Sequence, residues 1–597
     1  MEHYRQPVSG KDDKVLEKRN AWMIESASGN NIPSQTKQSG SSALKLDKAM
    51  RLAKQRTNEG CLEQAKLIYQ DILAKFPKNK RAQQSLRALT KLEPSAVRQH
   101  PYKENIDQLT NLYNQGNYLA VIEFAEILTQ KYPQTFDVWN YMGAANKGLG
   151  RILEASKAFK KVTELNPNYA EGYNNMGVVL RQQGELEAAL KAYKKALLLK
   201  PNFAEVYYNL GTVLIELGHL EEAIEIYEKG LSIKPDYAEA YNNIGIALKN
   251  QGKFDEAIEA YKKAISVKPD YATAHLNLSF AFLNNGNWKK GLDEYEWRWE
   301  TTNNFHQRRY FQQPMWDGKK TLKDKTILVW GEQGPQDMII WSSAMEYLSS
   351  LANHCIFECP EKLVSLFSRS LPNITVEAEK RSSDHNRDDF DFHIPIGSLF
   401  KCFFSKISER KKCGPLLKAD MKRVNYWTTR LSSLGAGPFV GISWKSPVMS
   451  IDRLPNYTDI INWEAVLSIP NITFINLQST DFKNDLRWVQ DNFGVKVHNF
   501  EDLDHYDNLD DVAALCKALD ICISVSTAVG AIASGVGTST KILSWKQSPW
   551  NNFLLAPCGP SVHTYQRNTW DPWNIVLGQV ANDLKTDYFT DTRQGLL

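Results

Sequence analysis

Apolar and small residues return along the middle of this chain at a spacing of 34 positions. Pro133, Pro167, Pro201, Pro235 and Pro269 keep it, as do Gly143, Gly177, Gly211 and Gly245, and as do Gly116, Gly150, Gly184, Gly218, Gly252 and Gly286. A fixed period of this length marks a repeat array. Each unit predicts two helices. Tyr173…Met176-Gly177…Leu180 recurs as Tyr207…Leu210-Gly211…Leu214 and as Tyr241…Ile244-Gly245…Leu248. A second helix then carries Ala189…Tyr193, Ala223…Tyr227 or Ala257…Tyr261. Gly and Ala are expected where the helices approach closely, and the aromatic ring is expected to fill the gap to the next repeat. Proline closes the second helix because it lacks an N–H and clashes with the preceding turn. One unit cannot bury its apolar face, so the stack is the stable object.

Outside the array the pattern changes twice. Residues 1–43 are rich in Ser, Asn, Gln and Lys with almost no apolar periodicity, which predicts a disordered segment. A divergent repeat (Ala49, Gly60, Ala65, Tyr69, Pro77) and a linker occupy 44–104, and the array proper runs over 105–300. Its Trp-rich end, Glu294-Tyr-Glu-Trp-Arg-Trp299-Glu, is expected to cap the stack and dock it on the C-terminal region. After a linker at 301–324, short β-rich runs alternate with helical stretches. Thr326–Trp330, His354–Glu358 and Phe390–Ile394 open this region, with helices near 338–352 and 361–370. The alternation restarts after Gly437 with Phe439–Trp444, Asn471–Leu477, Asp520–Val525 and Lys541–Ser544. It predicts parallel sheets in two Rossmann-like lobes, 325–437 and 438–597, with ligand sites beyond the C-terminal strand ends.

Composition narrows the function classes. At 597 residues the chain needs several domains. A net charge of +4 is small for this size and offers no case for a nucleic-acid partner. With no run of eighteen apolar residues and a polar start, a cytoplasmic location without a membrane span is expected. The eight cysteines form no C-x-x-C pair and read as buried free thiols in a reducing compartment.

The order large, large, Gly, large, then Ala-x-x-x-aromatic, then Pro resembles the tetratricopeptide repeat (TPR). Asn175, Asn209, Asn243 and Asn277 recur two positions before the Gly (or Ser279) of the first helix, and Tyr141 interrupts the series. In TPR superhelices that position faces the groove. The series resembles the asparagine ladder with which the O-linked N-acetylglucosamine transferase family grips peptide backbones. A side-chain amide that both donates and accepts suits a backbone of any sequence. The same asparagines also fit a plain repeat consensus facing water. A groove for acidic peptide tails would want a Lys/Arg clamp, and the inner positions are Asn-rich instead.

A second resemblance covers nearly all of 315–585. Leu328-Val-Trp-Gly-Glu-Gln-Gly-Pro-Gln-Asp337 looks like the strand and turn of heptosyltransferase-like glycosyltransferases of GT-B architecture. Val440–Lys445, Ile475–Gln478, Leu519–Val529 and Pro560–Arg567 with Trp570 extend the likeness. That resemblance implies a nucleotide-sugar donor as substrate, no bound metal and no cofactor. It implies Asp337 as general base, Lys445 as counter-charge to the departing diphosphate, and Ser526 and Thr527 at the donor site. Helices beginning after Asp337 and after Thr527 would aim N–H groups at phosphates. Two departures stand out. Gly334-Pro335-Gln336-Asp337 replaces the usual G-L-G-D, and Ser526-Thr527-Ala-Val-Gly-Ala531 replaces D-T-x-x-x-H. If the lost glycine served a left-handed turn, Gln336 is costly there. As a lone Asp at a strand-to-helix turn, Asp337 equally suits an N-cap. Asp389-Phe-Asp391 reads as the polar entry to a strand and Asp502-Leu-Asp504 as an acidic loop, neither as a metal site.

The expected architecture is an α-solenoid (a TPR superhelix) followed by an α/β two-lobed, Rossmann-like domain of GT-B type. Two functions fit it. One is a glycosyltransferase-like protein whose TPR groove binds protein or peptide. The other is a non-catalytic TPR interaction or scaffold protein with a degenerate glycosyltransferase domain.

Overall fold

The computed structural model describes residues 41–58, 62–91, 103–301, 308–380, 387–409, 415–446, 456–480, 482–545, 562–568 and 571–589. Almost all of the polar 1–43 segment lies outside the described residues. The chain forms two compact units, Met1–Val213 and Leu214–Leu597, whose boundary falls inside the helix Ala204–Glu216.

Among the described residues of the first unit, all regular secondary structure is helical. Ser41–Asn58, Leu62–Lys75 and Lys80–Lys91 form an opening module. The pairs Lys103–Asn114 with Tyr118–Lys131, Phe136–Gly148 with Ile152–Leu165, and Ala170–Gln182 with Leu186–Leu199 come next. The second unit opens with further helices of the repeat region: Leu220–Ile233, Ala238–Asn250 with Phe254–Val267, and Ala272–Asn284 with Trp288–Tyr295. Four of the second helices stop two residues before Pro167, Pro201, Pro235 and Pro269 (at Leu165, Leu199, Ile233 and Val267). The glycines of the helix turns adopt φ between +72° and +81°, a left-handed geometry that L side chains resist.

Packing inside a repeat explains the other glycines. A Cβ on Gly177 would lie 2.5 Å from the Tyr193 ring, one on Gly245 2.5 Å from Tyr261, and one on Gly143 2.7 Å from Phe159. The aromatic of the second helix therefore lies over the glycine of its own repeat. This differs from the expectation that it fills the gap to the next one. The hydroxyl of Tyr227 does reach onward, accepting from Asn243 Nδ2 at 3.1 Å.

Beyond the array the second unit builds two parallel sheets. Strands β1 (Thr326–Trp330), β2 (His354–Cys359), β3 (Thr375–Ala378) and β4 (Phe392–Pro395) lie in the order β3-β2-β1-β4. Strands β5 (Phe439–Ser443), β6 (Thr473–Asn476), β7 (Val497–His498), β8 (Ile521–Val525), β9 (Ser539–Trp545) and β10 (Val562–Arg567) lie in the order β10-β9-β8-β5-β6-β7. Counted from β5, the second sheet has the doubly wound order 3-2-1-4-5-6, and the first has its 3-2-1-4 portion. The strands are apolar and buried on both faces (Ile327, Leu328 and Val329; Ile521, Cys522 and Ile523), as parallel sheets covered by helices require. Where the sequence predicted one helix over 338–352, the chain makes Pro335–Trp341, a 3₁₀ turn and Met345–Ser349. Helix Pro335–Trp341 packs on Ala528–Gly535, and Glu361–Ser370 packs on Leu509–Ala518. Ile339, Trp341, Val529 and Ile532 thus belong to one core shared by both sheets.

The Trp-rich end of the array docks as expected. Trp297 stacks on His275 with ring centres 3.9 Å apart, and Trp299 lies 5.5 Å from Trp330 of β1. Cys355, Cys359, Cys516 and Cys522 are buried free thiols, whereas Cys402 is exposed.

Candidate functional site

In a doubly wound sheet, ligands sit past the C-terminal strand ends where the strand order reverses. Those points lie between β1 and β4 and between β5 and β8. Three sequence-predicted groups of site residues stand directly after β1, β5 and β8.

Past β1 comes Gly331-Glu332-Gln333-Gly334. Glu332 is 5% exposed, and Arg298 holds it from the 3₁₀ turn Glu296–Glu300 that closes the array. Arg298 donates from Nε to Glu332 Oε2 at 2.8 Å and from Nη2 to Oε1 at 2.9 Å. It also donates to Ser398 Oγ at 2.9 Å and to Glu296 Oε1 at 2.9 Å. Burial alone would lower the pKa of this guanidinium, but Glu332 and Glu296 outweigh that cost and keep it charged. The backbone N–H of Gly397, just past β4, donates to Glu332 Oε1 at 2.8 Å. A Cβ on Gly397 would stand 2.5 Å from that oxygen, so the close approach needs glycine. The array's last turn is thereby fixed to the switch point of the first sheet.

The turn after Glu332 corrects two expectations. The residue with positive φ is Gln333 (+64°), whose side chain donates to the Tyr295 hydroxyl. Gln336 sits inside the helix Pro335–Trp341 and is absent from the positive-φ residues, so the steric objection to it falls away. Gly334 is the N-cap and Pro335 the first helical residue, which places Asp337 in the first turn and not at the cap. This helix has seven residues and begins before Asp337, not after it. The half-buried Asp337 carboxylate favours the helix's positive end.

Past β5, Lys445 is ion-paired: its Nζ donates to Asp485 Oδ2 at 2.8 Å, and the indole of Trp444 donates to the same oxygen at 2.8 Å. Gln478, past β6, fixes the loop by accepting from the N–H groups of Trp444 (3.1 Å) and Lys445 (3.0 Å) and donating to the Lys445 carbonyl (2.8 Å).

Past β8, Thr527 is the N-cap of Ala528–Gly535 with no side-chain capping bond. Its Oγ1 instead lies 3.2 Å from Ser524 Oγ, which donates to the Val525 carbonyl. The register pairs Ser443 with Ser524, so Lys445 and Ser526 stand two residues beyond the same rung. Gln336 Nε2 donates to Ser526 Oγ at 2.9 Å. This bond joins the loop after β8 to the helix that carries Asp337.

The asparagines of the array are half-buried and clasp neighbouring repeats. Asn175 donates to Asn140 Oδ1 at 3.0 Å, Asn209 to Asn174 at 2.9 Å, and Asn277 to Asn242 at 2.9 Å. Asn243 donates to Tyr227, and Tyr141, at the equivalent place one repeat earlier than Asn175, meets Thr110 Oγ1 at 2.7 Å. The position thus serves as an inter-repeat link whichever residue fills it.

The acidic pairs behave as polar structure. Asp391 accepts from Lys325 Nζ and from the N–H of Thr326 at 2.8 Å each, which holds its carboxyl below the usual range. Asp389 pairs with Arg387, and Asp502 with Arg430, which pulls Asp502 down to about 2. Among the described residues no group of three or more His, Cys, Asp or Glu side chains is placed to hold a metal ion, and no helix is long and apolar enough to cross a membrane.

Sequence reasoning missed the partners. Arg298 sits in a segment noticed only for its tryptophans, and Asp485 lies in the first turn of a helix 40 positions after Lys445. Only a charge set inside an aromatic run hinted at the first, and nothing local marked the second.

Models of the TPR repeat match residues 177–218 and 211–252, and models of the tetratricopeptide repeat match 136–169, 158–191 and 238–271. The chain therefore carries TPR repeats over 136–271. Protein FlbA of Caulobacter vibrioides is 29% identical over 286 residues, which covers 45% of this chain and 48% of that protein. The match spans about half the length of that relative. Crystal structures of MamA (28% identity, 27% of this chain and 93% of that one, TM-score 0.25) and of YrrB, a TPR protein with an unusual peptide-binding site (20%, 30% and 91%, TM-score 0.26), are among the similar solved chains.

Proposed function

We propose that this protein transfers a sugar from a nucleotide donor to a hydroxyl of a polypeptide held by its TPR array. The observation that supports this most is the bond between Gln336 and Ser526. It brings the helix of Asp337 beside the loop that opens Ala528–Gly535, past the strand ends of two doubly wound sheets. Asp337 takes the proton of the acceptor hydroxyl as it attacks the anomeric carbon. The Thr527 hydroxyl and the first N–H groups of Ala528–Gly535, which no side chain caps, receive the diphosphate. Lys445 supplies positive charge as the diphosphate leaves, exchanging Asp485 for phosphate oxygen. The array presents the acceptor, and the Arg298–Glu332 pair keeps its last turn in register with β1.

The test is donor turnover. The full chain is incubated with a panel of sugar nucleotides and the released nucleoside phosphates are separated by chromatography. One donor is expected to be consumed, and Asp337→Ala is expected to slow release by a factor on the order of 100 or more. An unchanged rate in Asp337→Ala removes the base from this function. Consumption of no donor removes the transfer.

One further observation favours the non-catalytic alternative. Lys445 is already ion-paired with Asp485 at 2.8 Å. A TPR interaction protein would keep such an internal pair permanently, and polypeptide binding by the array would then survive without any donor binding.

A further inference from the structure

The opening module carries a charge that the whole-chain balance hides. Residues 44–91 hold twelve Lys and Arg against four Asp and Glu, a net of +8, whereas the full chain has only +4. The three helices of this module enclose a groove of ≈ 650 Å³ between Ser41–Asn58 and Lys80–Lys91. Arg51, Lys54 and Arg81 line it, and Asp47 is the one acidic residue among the described lining. Arg51 and Lys54 are exposed, one helical turn apart on one side, and Arg81 is exposed on the facing helix. None of the three has an ion pair or a side-chain hydrogen bond among the described residues. Outside the module the protein pairs exposed cations, as Lys161 does with Glu164 and Lys262 with Glu259. Three such cations around one concavity, with Asp47 the one described acidic residue lining it, leave a net positive field in the groove.

We infer that this groove is a docking site for an acidic segment of a partner polypeptide, separate from the repeat array and from the strand-end site. The lining selects the occupant. Charge complementarity calls for carboxylates opposite Arg51, Lys54 and Arg81. Backbone groups of an extended or helical segment would meet Thr57, Asn58 and Gln84. A single-stranded nucleic acid needs exposed rings on which its bases stack. Among the described lining residues the one aromatic, Tyr69, is only 3% exposed and offers no such platform.

The experiment uses the full chain and a fluorescent twelve-residue peptide of alternating Glu and Leu. A matched peptide of Lys and Leu, a labelled single-stranded oligonucleotide and phosphatidylserine vesicles serve as competing arms. Anisotropy is expected to show saturable binding of the acidic peptide only, weakening at least tenfold between 50 and 300 mM salt. The variant Arg51→Glu/Lys54→Glu/Arg81→Glu is expected to lose binding more than tenfold with an unchanged circular dichroism spectrum. The neutral variant Arg51→Gln/Lys54→Gln/Arg81→Gln, which introduces no repulsion, is expected to lose it to an intermediate extent. Equal binding by the wild type and the neutral variant overturns the assignment. So does tighter binding of the oligonucleotide or the vesicles, or failure of the wild type to bind the acidic peptide.

Discussion

Gln336 and Ser526, 190 positions apart in sequence, are joined by a 2.9 Å hydrogen bond. The donor lies in the first turn of the helix after β1, and the acceptor lies directly after β8. These are two positions where the sequence departs from the glycosyltransferase-like pattern it resembles, and the two side chains meet each other. Removing either partner should cost the same interaction. Ser526→Ala and Gln336→Leu are each expected to destabilise this unit by about 1 kcal/mol, and the double variant by less than the sum. A double-mutant cycle from urea unfolding followed by tryptophan fluorescence checks this, and strict additivity would show that the pair is uncoupled.

The Arg298–Glu332 pair should weigh more heavily. Both side chains are almost fully buried, at 0% and 2% exposure, so loss of one charge strands the other. Arg298→Met is expected to destabilise by about 3–5 kcal/mol. Arg298→Met combined with Glu332→Gln should recover part of that loss, because the stranded carboxylate is gone. Gly397→Ala should destabilise by about 1–3 kcal/mol, since its new methyl group would press on the same carboxylate. Unfolding curves of the four proteins check both expectations.

Repeat glycines divide into two kinds that respond for different reasons. In a helix interior Ala is intrinsically better than Gly by about 1 kcal/mol, so Gly177→Ala would stabilise if space allowed. The Tyr193 ring forbids it, and a net loss of about 1–3 kcal/mol is expected. Gly184→Ala meets nothing within 4 Å, yet φ is +81°, and strain of about 1–2 kcal/mol is expected. Pairing Gly177→Ala with Tyr193→Leu should restore melting temperature only for the first kind.

Burial pushes the thiols of Cys355 and Cys359 up to about 12. The thiolate is the reactive form, so at pH 8 almost none is present in the folded state. Iodoacetamide should leave both unmodified at pH 8 in the native protein and label them once urea unfolds it. Mass spectrometry of tryptic peptides reads the difference, and native-state labelling of either would contradict their burial.

Much of the fold was legible because its signals are local and periodic. Glycine at Gly177 and Gly184, alanine at Ala189 and proline at Pro201 each report a short-range constraint that repeats every 34 residues. The strands β1, β5 and β8 showed as apolar runs because parallel strands are buried on both faces. The short strands β3, β7 and β10 showed poorly: Val497–His498 has two residues, and Thr375–Ala378 is only half-buried at its apolar positions. Among site residues, the resemblance pointed to Asp337, Lys445, Ser526 and Thr527, which stand past the ends of β1, β5 and β8. It did not show what each touches. Lys445 meets Asp485, Ser526 meets Gln336, and Glu332 meets Arg298 through contacts 34 to 190 positions apart, set by tertiary packing. The asparagine ladder showed the opposite limit. Its period was plain, but the donation of Asn175 to Asn140 and of Asn209 to Asn174 depends on how successive repeats pack.

The most direct measurement is the melting temperature of the purified full chain against a panel of sugar nucleotides, for wild type, Lys445→Ala and Asp337→Ala. A ligand that binds only the folded state stabilises it by mass action, about 2.7 kcal/mol at a hundredfold excess over Kd. A live donor site predicts a rise of several degrees with one donor, reduced in Lys445→Ala and retained in Asp337→Ala. No rise with any donor, in a protein whose array still binds polypeptide, would contradict sugar transfer.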